Sequence, residues 1–229
     1  MSHWLIAGAS RGIGLELARQ LALRGARVTA SVRNEAGRAA LEAALAPAGK
    51  KGRILIFDTR DASQIAAAAA QVDAPVDALI ANAGAYGPER QNALDMDFDG
   101  VLDLLNVNSL GPLRVAQAFL PQLRLSENPR IVMMSSVLGS MALEGTFNVG
   151  YRASKAALNK ITQCLADDLR PERIAVVSMH PGWVRTDMGG PDATLSVEES
   201  AEGILRVVDG LTLSGTRRYL DYRGDEIDW

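Results

Sequence analysis

Seven short apolar runs alternate with segments of helical periodicity along the chain. The runs are nearly continuous in apolar residues, which is typical of strands that are buried on both faces of a parallel sheet. They fall at residues 4–7, 27–32, 54–57, 76–81, 130–134, 174–179 and 219–220. Because helical segments separate them, the pattern predicts a doubly wound α/β fold, with about seven parallel strands and helices on both faces.

The composition favours a single domain. The chain has 229 residues, of which 48% are hydrophobic, so it can bury one substantial core and is short enough to keep it undivided. Loops are short, and no low-complexity segment or fixed-period repeat marks an internal boundary. We therefore expect one domain over residues 1–229.

The net charge and the small numbers of His and Cys residues limit the kinds of partner and ligand that the protein is expected to bind. The net charge is -3, and the Lys and Arg residues are scattered, which argues against nucleic acid and anionic membranes and favours a small-molecule substrate. No apolar run is long enough to span a membrane and no basic flank precedes one, so we expect a cytoplasmic protein. Two His and one Cys predict no metal site, and Cys164 is expected to lie inert in the core.

A glycine-rich loop follows the first apolar run and precedes the first helix. Its spacing is G-x-x-x-G-x-G, and glycines at a strand-to-helix turn let the backbone approach a diphosphate at the helix N-terminus. A bare tight turn is the alternative, but the position between strand and helix favours nucleotide binding. The candidate cofactor-binding residues of this loop are Gly8, Ser10, Arg11, Gly12, Ile13 and Gly14.

The ends of the next two strands bear on the type of dinucleotide. Val32 and Arg33 stand where a fold that binds NAD usually has an acid, and Arg accommodates a 2'-phosphate, so the sequence favours NADP(H) over NAD(H). Arg11 offers a second cation for the same phosphate, although two solvated arginines are the plainer alternative. Asp58 ends the third strand. It is either a hydrogen-bond acceptor for the adenine amine or an ordinary turn residue.

Two later strand ends add candidates at the same edge of the sheet. Asn82, Ala83 and Gly84 close the fourth strand with small residues that suit close packing or a ligand. The sixth strand leaves through a Pro-Gly turn, and the candidate cofactor-binding residues there are Pro181, Val184 and Thr186.

Tyr151 and Lys155 are the strongest catalytic candidates. They are four residues apart on a predicted helix and therefore lie on the same face, one turn apart. A nearby ammonium lowers the pKa of a phenol from its usual value near 10, so that Tyr151 can exchange a proton with a substrate oxygen. The alternative is a pair of surface residues that share this spacing by chance.

Asn108 and Ser136 are two further polar candidates. Asn108 falls on the apolar face of a long helix that starts near Asp99, and Gly111-Pro112 is expected to kink that helix. An Asn that merely ties helix to loop is the alternative. Ser135 and Ser136 end the fifth strand, where a hydroxyl can polarise a substrate carbonyl or simply open a turn. No His or acid completes a nucleophile elbow, which argues against a serine hydrolase.

Taken together, these motifs resemble those of the short-chain dehydrogenase/reductase family, in the family's order and over nearly the whole chain. The resemblance implies a Rossmann-type fold and hydride transfer between NAD(P) and a carbonyl or alcohol. It implies that Tyr151 donates the proton, and that Lys155 holds the nicotinamide ribose and lowers the Tyr151 pKa. It further implies that Ser136 holds the substrate oxygen, while Asn108 anchors a water-linked proton path to Lys155.

Within the family, the short length and residues 31–34 and 222–229 resemble the branch of sniffer-type carbonyl reductases and C-factor-like proteins. Ser136 lies 15 residues before Tyr151, about two more than usual in the family, so Ser135 is the less favoured alternative. The hypothesis is an NADPH-dependent reductase of an aldehyde, ketone or quinone. The rival is a dinucleotide-binding signalling or regulatory protein with incidental redox activity.

The resemblance also bears on assembly and on the substrate end of the site. Family members often pair through the helices that begin near Asp99 and Tyr151, which implies a homodimer or homotetramer. The substrate end is expected at residues 142–150, residues 188–194 and around Tyr86. Their Met, Phe, Tyr and Leu side chains suggest an apolar or aromatic substrate.

Overall fold

A seven-stranded parallel sheet with helices on both faces forms the centre of the computed structural model, which describes residues 2–229. The predicted Rossmann-type α/β fold is confirmed. The sheet strands are β1 (His3–Ala7), β2 (Arg27–Val32), β3 (Gly52–Ile56), β4 (Ala78–Ala81), β7 (Arg130–Met134), β8 (Ala175–His180) and β9 (Tyr219–Asp221). A separate two-stranded hairpin consists of β5 (Gln91–Asn92) and β6 (Asp95–Met96).

The strand order places a ligand crevice at the centre of the sheet. The order is β3-β2-β1-β4-β7-β8-β9, and all neighbours are parallel. The chain winds outward in opposite directions from β1 and β4, and a doubly wound sheet opens its crevice at such a switch point, beyond the carboxyl ends of the strands. Every predicted apolar run forms one of these strands, with ends that differ by at most two residues.

Seven helices cover the two faces. They are α1 (Gly12–Leu23), α2 (Arg38–Leu45), α3 (Ala62–Ala69), α4 (Phe98–Leu105), α5 (Gly111–Leu123), α6 (Val149–Leu169) and α7 (Val197–Asp209). Successive strand residues point to opposite faces. Trp4 and Ile6 therefore join one core with α1 and α7, whereas Leu5 and Ala7 join a second core with α5 and α6. Two-sided burial is why the strands read as continuous apolar runs.

The helix predicted from Asp99 is interrupted, as expected from its Gly-Pro pair. A π-helical turn, Asn106–Leu110, lies between α4 and α5, and Pro112 sits in the first turn of α5. Proline has no N–H to donate, so the ladder of hydrogen bonds shifts at this point. The hairpin of β5 and β6 was not predicted, because two-residue strands leave no periodicity to detect.

The prediction that Cys164 lies in the core is wrong, because its side chain is exposed on α6. Helix α6 buries Leu158, Leu165 and Leu169 on its inner face. Cys164 directly precedes Leu165, and one residue along a helix is a rotation of about 100° away from that face. None of the helices within residues 2–229 is both long and apolar enough to cross a membrane.

Candidate active site

The carboxyl ends of the central strands open into one cavity of about 1210 Å³. Its position at the switch between β1 and β4 is the one expected for a ligand in a doubly wound sheet. Fourteen of the residues predicted from the sequence line it: Gly8, Ser10, Arg11, Gly12, Ile13, Arg33, Asp58, Asn82, Ala83, Gly84, Tyr151, Lys155, Pro181 and Thr186.

The glycine loop is held against the end of β4. Gly8 has a φ of 89°, and a Cβ atom there would lie 2.7 Å from the Ala83 Cα atom. Asn82 donates through Nδ2 to the Gly8 carbonyl at 2.6 Å, and the Gly8 N–H donates to the Ser31 hydroxyl at 3.0 Å. Asn82 and Ala83 therefore support the loop, which explains why small residues end β4.

Gly14 has no room for a side chain. A Cβ atom at this position would lie 2.1 Å from the Gly8 carbonyl oxygen and 2.5 Å from Asn82 Nδ2. We expect Gly14→Ala to lower the free energy of unfolding by about 1–3 kcal/mol, since overpacking moves the loop. Chemical denaturation measures this, with Gly210→Ala as the matched control because its Cβ atom would meet nothing closer than 3.8 Å. Equal stability of both variants would contradict the prediction.

The N-terminus of α1 suits a diphosphate. Helix α1 begins at Gly12, directly after the loop, and no side chain caps it. The first N–H groups of a helix have no partner within the helix, and the helix dipole places partial positive charge there. The glycines, the uncapped helix and the cavity together fit a dinucleotide.

The two arginines predicted from the sequence to bind a 2'-phosphate differ in their ion pairs. Arg11 Nη1 lies 2.6 Å from Asp187 Oδ2, and both side chains are largely exposed. Arg33 is exposed at the cavity wall, and it takes part in none of the ion pairs formed within residues 2–229. Of these two, Arg33 therefore has no carboxylate partner at ion-pair distance within the described chain, whereas Arg11 is paired with Asp187.

Asp58 is already bound to a neighbour. Arg60 donates to both of its carboxylate oxygens, at 3.1 and 2.7 Å, and also binds Asp103. The hydrogen bonds from Arg60 lower the pKa of Asp58 below its usual range. The carboxylate thus stays charged, and Arg60 competes with any adenine amine for it.

Tyr151 and Lys155 lie together at the inner end of the cavity. The Lys155 Nζ atom is 5.8 Å from the centre of the Tyr151 ring, and both side chains are buried. Lys155 donates to the Met134 carbonyl oxygen at 2.8 Å, its one acceptor within the described chain. An ammonium carries three N–H groups, so two are left for hydroxyl groups of a ligand, which fits a ribose.

Burial dominates the pKa of both groups. It lowers the pKa of Lys155 to about 8, which leaves the ammonium charged at neutral pH. It raises the pKa of Tyr151 to about 12, and the Ser136 side chain opposes this shift by a smaller amount. The expected lowering of the Tyr151 pKa is therefore wrong for this structure, since the loss of hydration on burial is the largest cause and raises the pKa. The phenol is protonated, the form that donates a proton.

Asn108 is a fully buried link between two parts of the site. Its Nδ2 atom donates to the Ala85 carbonyl at 2.8 Å and to the Ser154 hydroxyl at 3.0 Å, while its Oδ1 atom accepts from the Ala85 N–H at 2.8 Å. Gly84 lies beside both Asn108 and Lys155. The amide joins the loop after β4 to α6, and both of its N–H groups are used.

The structure separates the two serines. Ser135 lines the cavity, but its hydroxyl is already bonded, since it donates to Asn159 Oδ1 at 2.7 Å in a buried hydrogen bond. The Ser136 hydroxyl accepts a long hydrogen bond of 3.3 Å from the Leu138 N–H, and its side chain interacts with the Tyr151 phenol. Of the two serines, Ser136 is therefore the one whose side chain lies beside the Tyr151 phenol.

A family model described as short chain dehydrogenase matches residues 2–194. The chain belongs to the short-chain dehydrogenase family. This confirms the resemblance seen in the sequence and makes the protein an NAD(P)-dependent oxidoreductase. The C-signal protein of Myxococcus xanthus is 46% identical over 159 residues, which cover 68% of this chain and 93% of that protein.

Solved structures of carbonyl reductases are similar to this short-chain dehydrogenase over its whole length. Carbonyl reductase Sniffer of D. melanogaster has a TM-score of 0.90 and 32% identity, with 100% of both chains covered. A carbonyl reductase from Pseudomonas aeruginosa in complex with NADP has a TM-score of 0.88 and 36% identity, again covering 100% of both chains. An NADPH-bound carbonyl reductase from chicken fatty liver has a TM-score of 0.90 and 30% identity, covering 100% of this chain and 99% of that one.

Four predicted residues of this short-chain dehydrogenase lie outside the cavity lining: Gly14, Asn108, Ser136 and Val184. Gly14 and Asn108 lie behind the lining, where Gly14 packs against Gly8 and Asn108 binds Ala85 and Ser154. Ser136 lies beside Tyr151. Val184 is buried and pairs with Leu195, so its side chain does not face the cavity. The prediction that Val184 contacts the cofactor is not confirmed.

Two residues outside the motifs contact Tyr151 in this short-chain dehydrogenase: Gln91, which sequence reasoning missed, and Tyr86, which it expected at the substrate end. Gln91 Oε1 accepts from the Tyr151 N–H at 2.8 Å, so the small hairpin holds the start of α6. The centres of the Tyr86 and Tyr151 rings lie 5.1 Å apart, and the rings are tilted by 39°. Neither residue stands in a motif, and their contacts cross 60 and 65 positions of the chain.

Proposed function

We propose that this short-chain dehydrogenase is an NADPH-dependent reductase of aldehydes, ketones or quinones. The observation that carries the proposal is the placement of Tyr151 and Lys155, with Ser136 beside them, at the inner end of a cavity that fits a dinucleotide. The similarity to carbonyl reductases along the full chain supports the choice of a carbonyl substrate.

Residues around the cavity are placed to hold three parts of NADPH. The glycine loop and the N-terminus of α1 would receive the diphosphate, Arg33 would pair with the 2'-phosphate, and Lys155 would donate to the nicotinamide ribose. NADPH supplies the hydride to the carbonyl carbon. The similar reductases from chicken and Pseudomonas aeruginosa have NADPH or NADP bound, which supports NADPH over NADH.

Tyr151 is the proton donor in this proposal. Its phenol is protonated over the neutral range because burial raises its pKa to about 12. As the carbonyl oxygen gains negative charge, Tyr151 transfers its proton and Ser136 donates a hydrogen bond to the same oxygen. The Lys155 ammonium then stabilises the phenolate, which forms during the reaction and is absent beforehand. Asn108 acts by holding the loop after β4 and helix α6 together.

The test starts with titration of the purified protein by NADPH and NADH. NADPH consumption is then followed with a panel of aldehydes, ketones and quinones. We expect tighter binding of NADPH and turnover of at least one carbonyl class. Tight binding without turnover on a broad panel would instead favour a dinucleotide-binding regulatory protein.

The assignment of Arg33 predicts a change of cofactor preference. Arg33→Gln removes one charge from the 2'-phosphate site, and a hydrogen bond to a charged group contributes about 1.5–3 kcal/mol. We therefore expect an NADPH Kd that is about 10–100-fold weaker, with the NADH Kd unchanged. The matched control is Arg206→Gln, an exposed arginine on α7 that does not line the cavity. Equal weakening for both dinucleotides would contradict the assignment.

Oligomeric state and location stay predictions. Phe98 and Leu102 are one turn apart on α4 and are 72% and 63% exposed, which supports pairing of subunits through this helix. Light scattering during gel filtration tests the expected homodimer or homotetramer, and a monomer at all concentrations would contradict it. The expected location is the cytoplasm.

A further inference from the structure

A buried polar cluster lies beneath residues 134–140, the segment that carries Ser136 and is called the serine loop below. Asn159, on α6, contacts it at two points. Its Oδ1 atom accepts from the Ser135 hydroxyl at 2.7 Å, and its Nδ2 atom donates to the Gly139 carbonyl at 3.2 Å. Both hydrogen bonds are buried, so one side chain fixes the serine loop before and after Ser136.

The edge strand β9 holds the same loop from the other side. The Tyr219 hydroxyl donates to the main-chain carbonyl of Ser136 itself, and Tyr219 is completely buried. The Trp229 ring packs on the Tyr219 ring with centroids 5.4 Å apart, and the Ser140 hydroxyl donates to the Asp228 carbonyl at 2.6 Å. Residues near position 229 thus reach the serine loop.

The loop also contacts the helix that carries Tyr151. Lys155 donates to the Met134 carbonyl, where the serine loop begins. At its other end, a Cβ atom on Gly139 would lie 2.8 Å from the Lys155 main chain. The distance between Ser136 and Tyr151 therefore depends on how firmly this loop is held against α6.

We propose that Tyr219 and Asn159 are positioning residues that hold Ser136 at the distance from Tyr151 needed for carbonyl reduction. The proposal rests on the proposed function. A buried tyrosine needs some acceptor for its hydroxyl, but Tyr219 selects the carbonyl of the residue that binds the substrate oxygen. A displacement of about 1 Å at a reacting group can cost about 10²-fold in rate, so a small relaxation of the loop is enough to matter.

The experiment uses Tyr219→Phe, which keeps the ring packed on Trp229 and removes the hydroxyl. We expect kcat for carbonyl reduction to fall about 10-fold, with the NADPH Kd unchanged. The decisive measurement is a double-mutant cycle with Ser136→Ala. Because Tyr219 acts through Ser136, Tyr219→Phe should have no further effect on kcat in the Ser136→Ala background.

A matched control and a second variant complete the test. Tyr222→Phe removes a hydroxyl from a partly buried tyrosine that packs against the core formed with α1 and α7. This variant should keep the kcat of the natural protein. Asn159→Ala should lower kcat and show the same non-additivity with Ser136→Ala. Losses that multiply in the double variants, or an unchanged kcat in Tyr219→Phe, would overturn the positioning role alone. Absence of carbonyl turnover in the natural protein would overturn the proposed function as well.

Discussion

Replacement of Tyr151 by phenylalanine is expected to lower kcat for carbonyl reduction about 10³-fold, the usual size of a general acid–base contribution. Phenylalanine keeps the ring that packs against Tyr86 and lacks the proton that the substrate oxygen receives. Because the fold does not depend on the Tyr151 hydroxyl at the cavity wall, we expect the NADPH Kd to stay within about threefold of its natural value.

Initial-rate kinetics and NADPH titration measure the two effects separately. Tyr222→Phe is the matched control, since it removes the hydroxyl of a tyrosine that does not line the cavity. Natural kcat in Tyr151→Phe would show that another group donates the proton. Loss of NADPH binding together with activity would show that Tyr151 supports the cofactor site instead.

Replacement of Lys155 by methionine is expected to abolish most activity and to stabilise the protein. Methionine has a similar length and no charge, so kcat should fall about 10²–10³-fold, as expected when a preorganised electrostatic contact is lost. Burial lowers the pKa of Lys155 from 10.5 to about 8, which means that the folded protein holds this proton less tightly than the unfolded chain does. In the protein without ligand, the charged Lys155 therefore destabilises the fold.

The sign and pH range of this effect follow from that shift. The destabilisation is complete below about pH 8 and disappears as the pH rises through 10.5, where Lys155 is neutral in both states. Below pH 8, Lys155→Met should raise the free energy of unfolding by about 3 kcal/mol, which is the free energy equivalent of a pKa lowered from 10.5 to about 8. The advantage should shrink towards pH 10.5.

Urea denaturation between pH 7 and 10 measures this trend. Lys160→Met, on the exposed face of the same helix, is the matched control and should change stability little at any pH. A Lys155→Met variant that is less stable than the natural protein at pH 7 would show that its hydrogen bond to Met134 outweighs the cost of burying the charge.

The fold was predictable because its signals are local. A strand buried on both faces must be apolar at each position, so the seven runs were visible without knowledge of their partners. The strand-to-helix glycine loop and the i, i+4 pair of Tyr151 and Lys155 are equally local, since each lies within a single turn or helix. The hairpin of β5 and β6 has no such signal, and its role depends on long-range hydrogen bonds, such as the one between Gln91 and Tyr151.

The state of each site residue was less predictable. Arg11 and Arg33 look alike in the sequence, yet Arg11 meets Asp187, which is 176 positions away, and Arg33 meets no carboxylate at ion-pair distance among residues 2–229. Ser135 and Ser136 are neighbours with the same chemistry. Their opposite orientations at the end of β7 send one hydroxyl to Asn159 and leave the other beside Tyr151.

The sequence by itself determined the α/β class, the place of the dinucleotide loop and the helix that carries the reacting side chains. The tertiary structure decided which way the pKa of Tyr151 moves, which serine faces it, and which side chains hold Ser136 in place. The physical reason is the range of the interactions. Periodicity and turn chemistry act within a few residues, whereas hydration and hydrogen bonds at the site depend on how β4, β7, β9 and α6 pack together.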